Sequence, residues 1–423
     1  MSSAPPPTDP GSSLEALLAA REVVVFCGSG GVGKTSTAAA AALVAAVNLG
    51  GRVLVLTIDP ARRLADALGL EAFGNEERRV PDAALRAAGL TPRGELWAAM
   101  LDTKASWDDL VRRHAPDPGT ADQILGNRLY DNLTSRFVQS HDYIAMERLY
   151  DLHSTGLYDL IVVDTPPTRN ALDFLDAPQR MADFFGGRLL RWLTVPSRIG
   201  GGRGARFVNF ASKPFSQVAD RILGTQFLKD IAEFFLNFES MYDGFVERAR
   251  AVEHLMHDRR TAFTVVTTLE GAPLREAEYF CRELDDRGYH LGALVLNRVL
   301  PDAFRDPEVA RAADRCVDDA DDLAAALVGV GDPACVDPGS VARVLRTVGR
   351  SYRNFAVVAT REAELKARLA RVPDVVVTVP SFAEDVHDVA GLARIGEHLL
   401  GGPLASVRVG SDGRAGPAQH RTG

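Results

Sequence analysis

The chain has 423 residues, 46% hydrophobic and 25% charged, with a formal net charge of −8 and a pI near 5.7. That length buries a large core and holds one big α/β unit or two smaller ones, while the acidic balance argues against a general nucleic-acid binder. The cysteines, Cys27, Cys281, Cys316 and Cys335, are scattered without a C-x-x-C pair, which suggests neither a disulfide framework nor a zinc ribbon and fits a reducing cytoplasm.

Residues 1–13, rich in proline, serine and glycine, read as a disordered tail without a basic-then-apolar signal pattern. No window reaches the ~18 apolar residues of a spanning helix, so a soluble cytoplasmic protein is expected. Ser13 to Arg21 reads as a short lead-in helix. Val23 to Leu49 follows: a short apolar run, a glycine-rich turn and a long alanine-rich segment. Gly28 to Thr35 fits the phosphate-binding pattern G-x-x-x-x-G-K-[ST], between a predicted strand and a predicted helix. Gly28, Gly30, Gly31 and Gly33 let successive N–H groups of Gly28, Ser29, Gly30, Gly31, Val32 and Gly33 turn into one concavity. The helix beginning near Gly33 adds free donors and the positive end of its dipole, through Lys34, Thr35 and Ser36. Lys34 supplies a point charge for the β/γ phosphates, and Thr35 a hydroxyl ligand for Mg²⁺.

Arg52 to Ile58 reads as a second buried strand ending at Asp59-Pro60, Glu95 to Asp102 as a third, and Asp159 to Val163 as a fourth ending at Asp164. Further strands are predicted at Thr261 to Thr268, Leu291 to Val299 and Asp374 to Val379. Seven β-rich runs separated mostly by helical stretches indicate a mainly parallel sheet covered by helices on both faces. Ligands bind such sheets at the carboxyl ends of strands.

About 105–150 and 176–257 read as helical insertions into an α/β domain spanning 14–400, and 401–423 as a second disordered tail. In the second insertion Leu223, Phe227, Ile231, Phe234, Phe238, Met241 and Phe245 recur at steps of three and four, one apolar face of a long helix. Ten of the nineteen phenylalanines lie between Phe184 and Phe245; this apolar surface is either a subdomain core or a groove for an apolar client or partner. Ile199 to Phe207 reads as a solvated glycine- and arginine-rich loop.

The loop GSGGVGKT, with IDPARR at Ile58 to Arg63 and DTPPT at Asp164 to Thr168, resembles the ArsA-type ATPases. These include arsenite-pump ATPases and targeting ATPases for tail-anchored membrane proteins, within the dimeric P-loop ATPases with a deviant Walker A motif. The resemblance implies a P-loop NTPase fold with an inserted helical subdomain, and ATP and Mg²⁺ as ligands. It implies that Asp59 positions or deprotonates the attacking water, that Asp164 holds Mg²⁺ through water, that Thr165 to Thr168 form the second switch, and that Asn297 reads the adenine edge. Pro380 to Asp385 would pack on the base.

Three departures qualify it. A second, signature lysine normally follows the first glycine of the loop and reaches the phosphates of the other subunit; here Ser29 stands there. A heterodimer with a paralogue that retains the lysine is therefore expected as the alternative to a homodimer. Arg62, Arg63 and Arg169 are unusual and could supply a cation in cis. The cysteine patterns of zinc-bridged, arsenite-transporting and iron–sulfur members are absent, and His254 and His257 read as surface residues, so neither zinc nor metalloid transport is expected. The leading expectation is a nucleotide-gated, chaperone-like or regulatory ATPase acting on an apolar peptide or membrane-protein client. The alternative is an ATP-holding scaffold with little hydrolysis. A partition-type surface ATPase is disfavoured because the C-terminal tail lacks an amphipathic membrane helix.

Overall fold

A computed structural model describes residues 13–58, 63–70, 74–127, 130–131, 134, 138–166, 175–177, 179–180, 234, 241–330, 337–369, 373 and 375–404. Helix α1 (Leu14–Ala19) is capped by Ser13, whose hydroxyl accepts the Ala16 N–H. The fully buried strand β1 (Val23–Cys27) leads into α2 (Lys34–Val44), which continues as a π-turn over Ala45–Leu49. Then come β2 (Arg52–Thr57), α3 (Arg63–Leu68), a two-residue β3 (Arg78–Arg79) and α4 (Asp82–Ala87). Strand β4 (Glu95–Met100) is followed by α5 (Thr103–His114), α6 (Pro118–Leu125) and α7 (Val138–Ser154). Strand β5 (Leu160–Asp164) precedes α8 (Tyr242–His257), β6 (Thr261–Thr267), α9 (Gly271–Asp286) and β7 (Leu291–Val299). Helices α10 (Pro307–Asp318), α11 (Ala320–Val330) and α12 (Pro338–Leu369) separate β7 from β8 (Val375–Pro380), and α13 (Val389–Leu400) follows.

Among the described residues the strands form one eight-stranded sheet in the order β3-β4-β2-β5-β1-β6-β7-β8. Every pairing is parallel except β3 with β4. The seven parallel strands are those expected from the apolar runs, each within two residues. The antiparallel β3 is the exception: Arg78 and Arg79 are exposed and carry no apolar pattern.

The period of two along each strand divides the core between the two faces. Val23, Val25 and Cys27 of β1 point towards one cluster, which includes Trp107 of α5, Tyr143 of α7 and Phe245 of α8. Val24 and Phe26 point the other way, against α2 and α13. These three rings lie 5.7–6.3 Å apart between centroids. Of the apolar stripe predicted between residues 223 and 245, Phe234, Met241 and Phe245 are at most 2% exposed. At those three positions the stripe is core; Leu223, Phe227, Ile231 and Phe238 lie outside the described residues.

The helical elaboration α10–α12 was not separated from the α/β pattern in the sequence. It is held close by Gly349 of α12, where a Cβ would sit 2.6 Å from the Ala313 carbonyl oxygen and 2.7 Å from a Val317 methyl of α10. No described helix is long and apolar enough to cross a membrane.

Candidate nucleotide-binding site

The loop between β1 and α2 is shaped by two glycines in particular. At Gly28 a Cβ would lie 2.1 Å from the Val266 backbone oxygen of β6, so only glycine lets the loop pass that strand. Gly33 caps α2 at φ 90°, and a Cβ there would lie 2.3 Å from Asn297 Nδ2. Lys34 is the first residue of α2, is buried, and donates from Nζ to the Ser29 carbonyl oxygen at 2.9 Å. The lysine therefore arches back over its own loop, so that its charge lies beside the loop N–H groups.

Strand parity explains which side chains join it. Val53 and Val55 of β2 and Leu160 and Val162 of β5 face the α2 layer, and so, two residues on, do Thr57 and Asp164, which are paired in register. Thr57 Oγ1 donates to Asp164 Oδ2 at 2.9 Å, and both residues are at most 1% exposed. A buried carboxylate oriented by a neutral hydroxyl is a hard-oxygen acceptor, and with the Thr35 hydroxyl the donor set suits Mg²⁺ or its water shell. The residue after Asp164 ties this end of β5 to β1: Thr165 donates to the Phe26 carbonyl oxygen from N at 3.2 Å and from Oγ1 at 2.9 Å.

Asn297 reaches the same face from β7, where Ala293 and Val295 mark the parity. Just beyond it the pairing of β7 with β8 shifts register between Leu296 and Val299, and Arg298 adopts φ 57°. Asn297 Nδ2 donates to the Val32 carbonyl oxygen at 2.8 Å, and its Oδ1 accepts the Arg298 N–H at 2.9 Å. The amide thus braces the phosphate loop and keeps one further donor and acceptor position for a ligand.

A cleft of about 670 Å³ opens beside these groups, lined by Gly33, Thr35, Ser36, Asn297, Pro380 and Phe382 among others. That volume is suited to a small ligand. Pro380 is the last residue of β8, and the Phe382 ring lies 5.5 Å from the Arg394 guanidinium and 5.7 Å from the His398 ring.

The structure brings together Gly28, Ser29, Val32, Gly33, Lys34, Thr35, Ser36, Asn297 and Pro380, with Asp164 at the adjoining strand end. Asp59 and Arg62 lie outside the described residues, as do Thr168, Arg169 and Cys335, and the same holds for the Arg63 side chain. Two further residues touch the site without having been picked out by the sequence patterns. Thr57 had a signal, a polar residue closing an otherwise apolar buried strand. Glu276 of α9 had none, because its partner Ser29, whose hydroxyl donates to its carboxylate, is 247 positions away.

Two of the cysteines lie in the core. Burial raises the Cys27 thiol well above its ordinary pKa and raises Cys281 to about 12. His257 stacks on Tyr289 at 4.2 Å, and no metal-binding group of three or more ligands occurs among the described residues.

A parallel sheet with a glycine-bounded phosphate loop at the end of β1, a lysine arching over it and a buried aspartate at the end of the neighbouring strand defines a P-loop nucleotide-binding protein. Residues 21–318 match the anion-transporting ATPase family, ArsA_ATPase, and the chain belongs to that family. It is 31% identical over 200 residues to a protein of Prosthecochloris vibrioformis assigned as an arsenical pump-driving ATPase, covering 47% of this chain and 43% of the relative. It is 23% identical to an ATPase ASNA1 homolog of Entamoeba dispar, covering 69% and 81% respectively, and 26% identical to the ATPase GET3 of Malassezia globosa, covering 65% and 72%. The chain thus spans less than half of the pump-driving relative.

Proposed function

We propose that this protein is a Mg²⁺-dependent ATPase that works as a dimer, closing and opening with nucleotide to control an apolar client. The observation that carries the reading is the conjunction of Lys34 over the phosphate loop with the Asp164 carboxylate held by Thr57 on the same face. In this reading the loop N–H groups and Lys34 bind the triphosphate, Thr35 and Asp164 hold the magnesium and its water shell, and Asp59 orients the attacking water. Asn297, Pro380 and Phe382 border the space for the base. Thr35 and Asp164 would hold the magnesium, whose charge would offset that developing on the phosphate chain.

Ser29 directs the choice of partner. A neutral hydroxyl offers no cation to a second subunit's phosphates, and the loss of such a cation, if it acts like an arginine finger, slows turnover by roughly 10³–10⁵, about 4–7 kcal/mol in barrier. A paralogous subunit with the lysine would complete this chain's site. The reading as an ATP-holding scaffold draws support from the same position, since Ser29 is engaged by an acidic side chain rather than free for transfer chemistry. Arsenical chemistry is not carried over from the relatives, because the four cysteines are scattered along the chain rather than clustered, and Cys27 and Cys281 are buried thiols with raised pKa.

Steady-state ATP turnover of the purified chain, beside Ser29→Lys, tests the proposal. Slow turnover that rises at least tenfold with the added lysine supports a cation supplied in trans. Fast turnover in the unaltered chain that the substitution leaves unchanged removes the heterodimer, and absence of nucleotide binding removes the ATPase reading.

A further inference from the structure

The carboxylate of Glu276 is an acidic group placed where the phosphate loop meets solvent. Glu276 lies on α9, in the first turns after β6, and is exposed apart from its contact with Ser29. Its Oε2 accepts the Ser29 hydroxyl, and the carbonyl oxygen of the same serine accepts Lys34 Nζ. Ser29 is thus held from both ends: its side chain by an acid on a neighbouring helix, and its backbone by the lysine that a triphosphate must recruit. A triphosphate entering the loop brings negative charge towards Glu276 and competes with the Ser29 carbonyl for the lysine. We propose that Glu276 is a positioning residue that latches the phosphate loop through Ser29 and lowers affinity in proportion to the charge of the incoming phosphate chain, so that the loop discriminates among phosphate-chain lengths through α9.

The proposal follows from charge and geometry. Two like charges separated by several ångströms at a protein surface interact appreciably, the more so where solvent screens them poorly. Among the described residues Glu276 forms no ion pair with an arginine or lysine, and its carboxylate is engaged by the neutral Ser29 hydroxyl. The hydroxyl of Ser29 suits the latch, being small enough to accept a neighbour and able to donate to a carboxylate. A lysine introduced at position 29 would instead form an ion pair with Glu276 in cis, so Glu276 also sets how far such a substitution can restore a cation to another subunit.

The inference rests on the reading of this loop as a triphosphate site, and its test is equilibrium binding rather than turnover. ATP, ADP and AMP are titrated by calorimetry, with Mg²⁺, into the full chain and into Glu276→Gln, Ser29→Ala and the double variant. Glu276→Gln is nearly isosteric and exposed, so it leaves the fold intact. The expected result is a fall in the ATP Kd of roughly threefold to tenfold, a smaller fall for ADP and little change for AMP, with the gain shrinking as salt is raised. Ser29→Ala should tighten binding less than Glu276→Gln, and the double variant should gain less than the sum of the two, because they share one contact. An ATP Kd within twofold of the unaltered chain, or an equal change for AMP, overturns the latch while leaving the nucleotide site standing. Absence of binding to every form overturns both.

Discussion

At the scale of single residues, the buried pair of Thr57 and Asp164 carries the most consequence for its size. The Thr57 hydroxyl donates to Asp164 Oδ2 at 2.9 Å in a fully buried setting. Replacing it with the near-isosteric valine removes the donor without opening a cavity, leaving the carboxylate to lose a hydrogen bond worth about 1–3 kcal/mol in such a place. Thr57→Val is therefore expected to lower the denaturation midpoint and to weaken Mg²⁺-dependent more than Mg²⁺-independent ATP binding; equal weakening of both would remove Asp164 from the metal's surroundings. Legibility at this scale was uneven for a physical reason. The loop residues and Asp164 are local patterns, a glycine-rich turn and a carboxylate at the end of a buried strand. Thr57 and Glu276 act through partners that only the sheet register and the packing of α9 bring near, and no spacing along the chain records that.

The helices are joined by networks whose titration can be followed. Arg248 of α8 donates from Nε to both oxygens of the buried Glu147 on α7, at 3.1 and 2.9 Å, and contacts His114 Nε2 at the end of α5 at 2.7 Å. Desolvation first, then the Arg248 and Arg113 guanidinium groups, lowers the His114 pKa from 6.5 to about 4, against the pull of Asp151. The folded state thus keeps His114 neutral where the unfolded chain takes up a proton, so stability falls as pH drops from about 6.5 to about 4 and this contribution levels off below that. His114→Asn, which keeps an acceptor but does not titrate in this range, should lose less of its denaturation midpoint between pH 7 and pH 5 than the unaltered chain; equal losses would show that the ring does not govern the window. The α10–α12 unit depends instead on close approach. A glycine inside a helix costs about 1 kcal/mol relative to alanine, yet at Gly349 a methyl would meet the Ala313 carbonyl at 2.6 Å. Gly349→Ala is expected to destabilise by about 1–3 kcal/mol and not to gain the usual helix propensity, which urea denaturation would report. Periodicity marks such segments as helical, but the cause of a glycine in mid-helix is a neighbour 36 residues earlier, and this is why the unit was not recognised as a layer of its own.

Across the whole molecule, the candidate site is built by segments far apart in the chain. The phosphate loop follows β1, Thr57 and Asp164 end β2 and β5, Asn297 lies in β7, and Pro380 closes β8. The family match ends at residue 318, yet β8 completes the sheet and Pro380 and Phe382 line the cleft. The sheet was legible because each buried parallel strand is a short apolar run, and the cleft was legible in outline because ligands bind at the carboxyl ends of such strands. A ligand that grips so many strand ends at once stabilises the common fold rather than one segment. MgATP at about 100 times its Kd should add about 2.7 kcal/mol to the unfolding free energy, seen as one cooperative upward shift of the melting transition. Lys34→Ala should abolish most of the shift with ATP, because the lysine charge is lost. Thr35→Ala should remove chiefly the difference between ATP with magnesium and ATP with a chelator. If the shift occurs in only part of the transition, or survives Lys34→Ala undiminished, the nucleotide is held elsewhere than at the meeting of these strands.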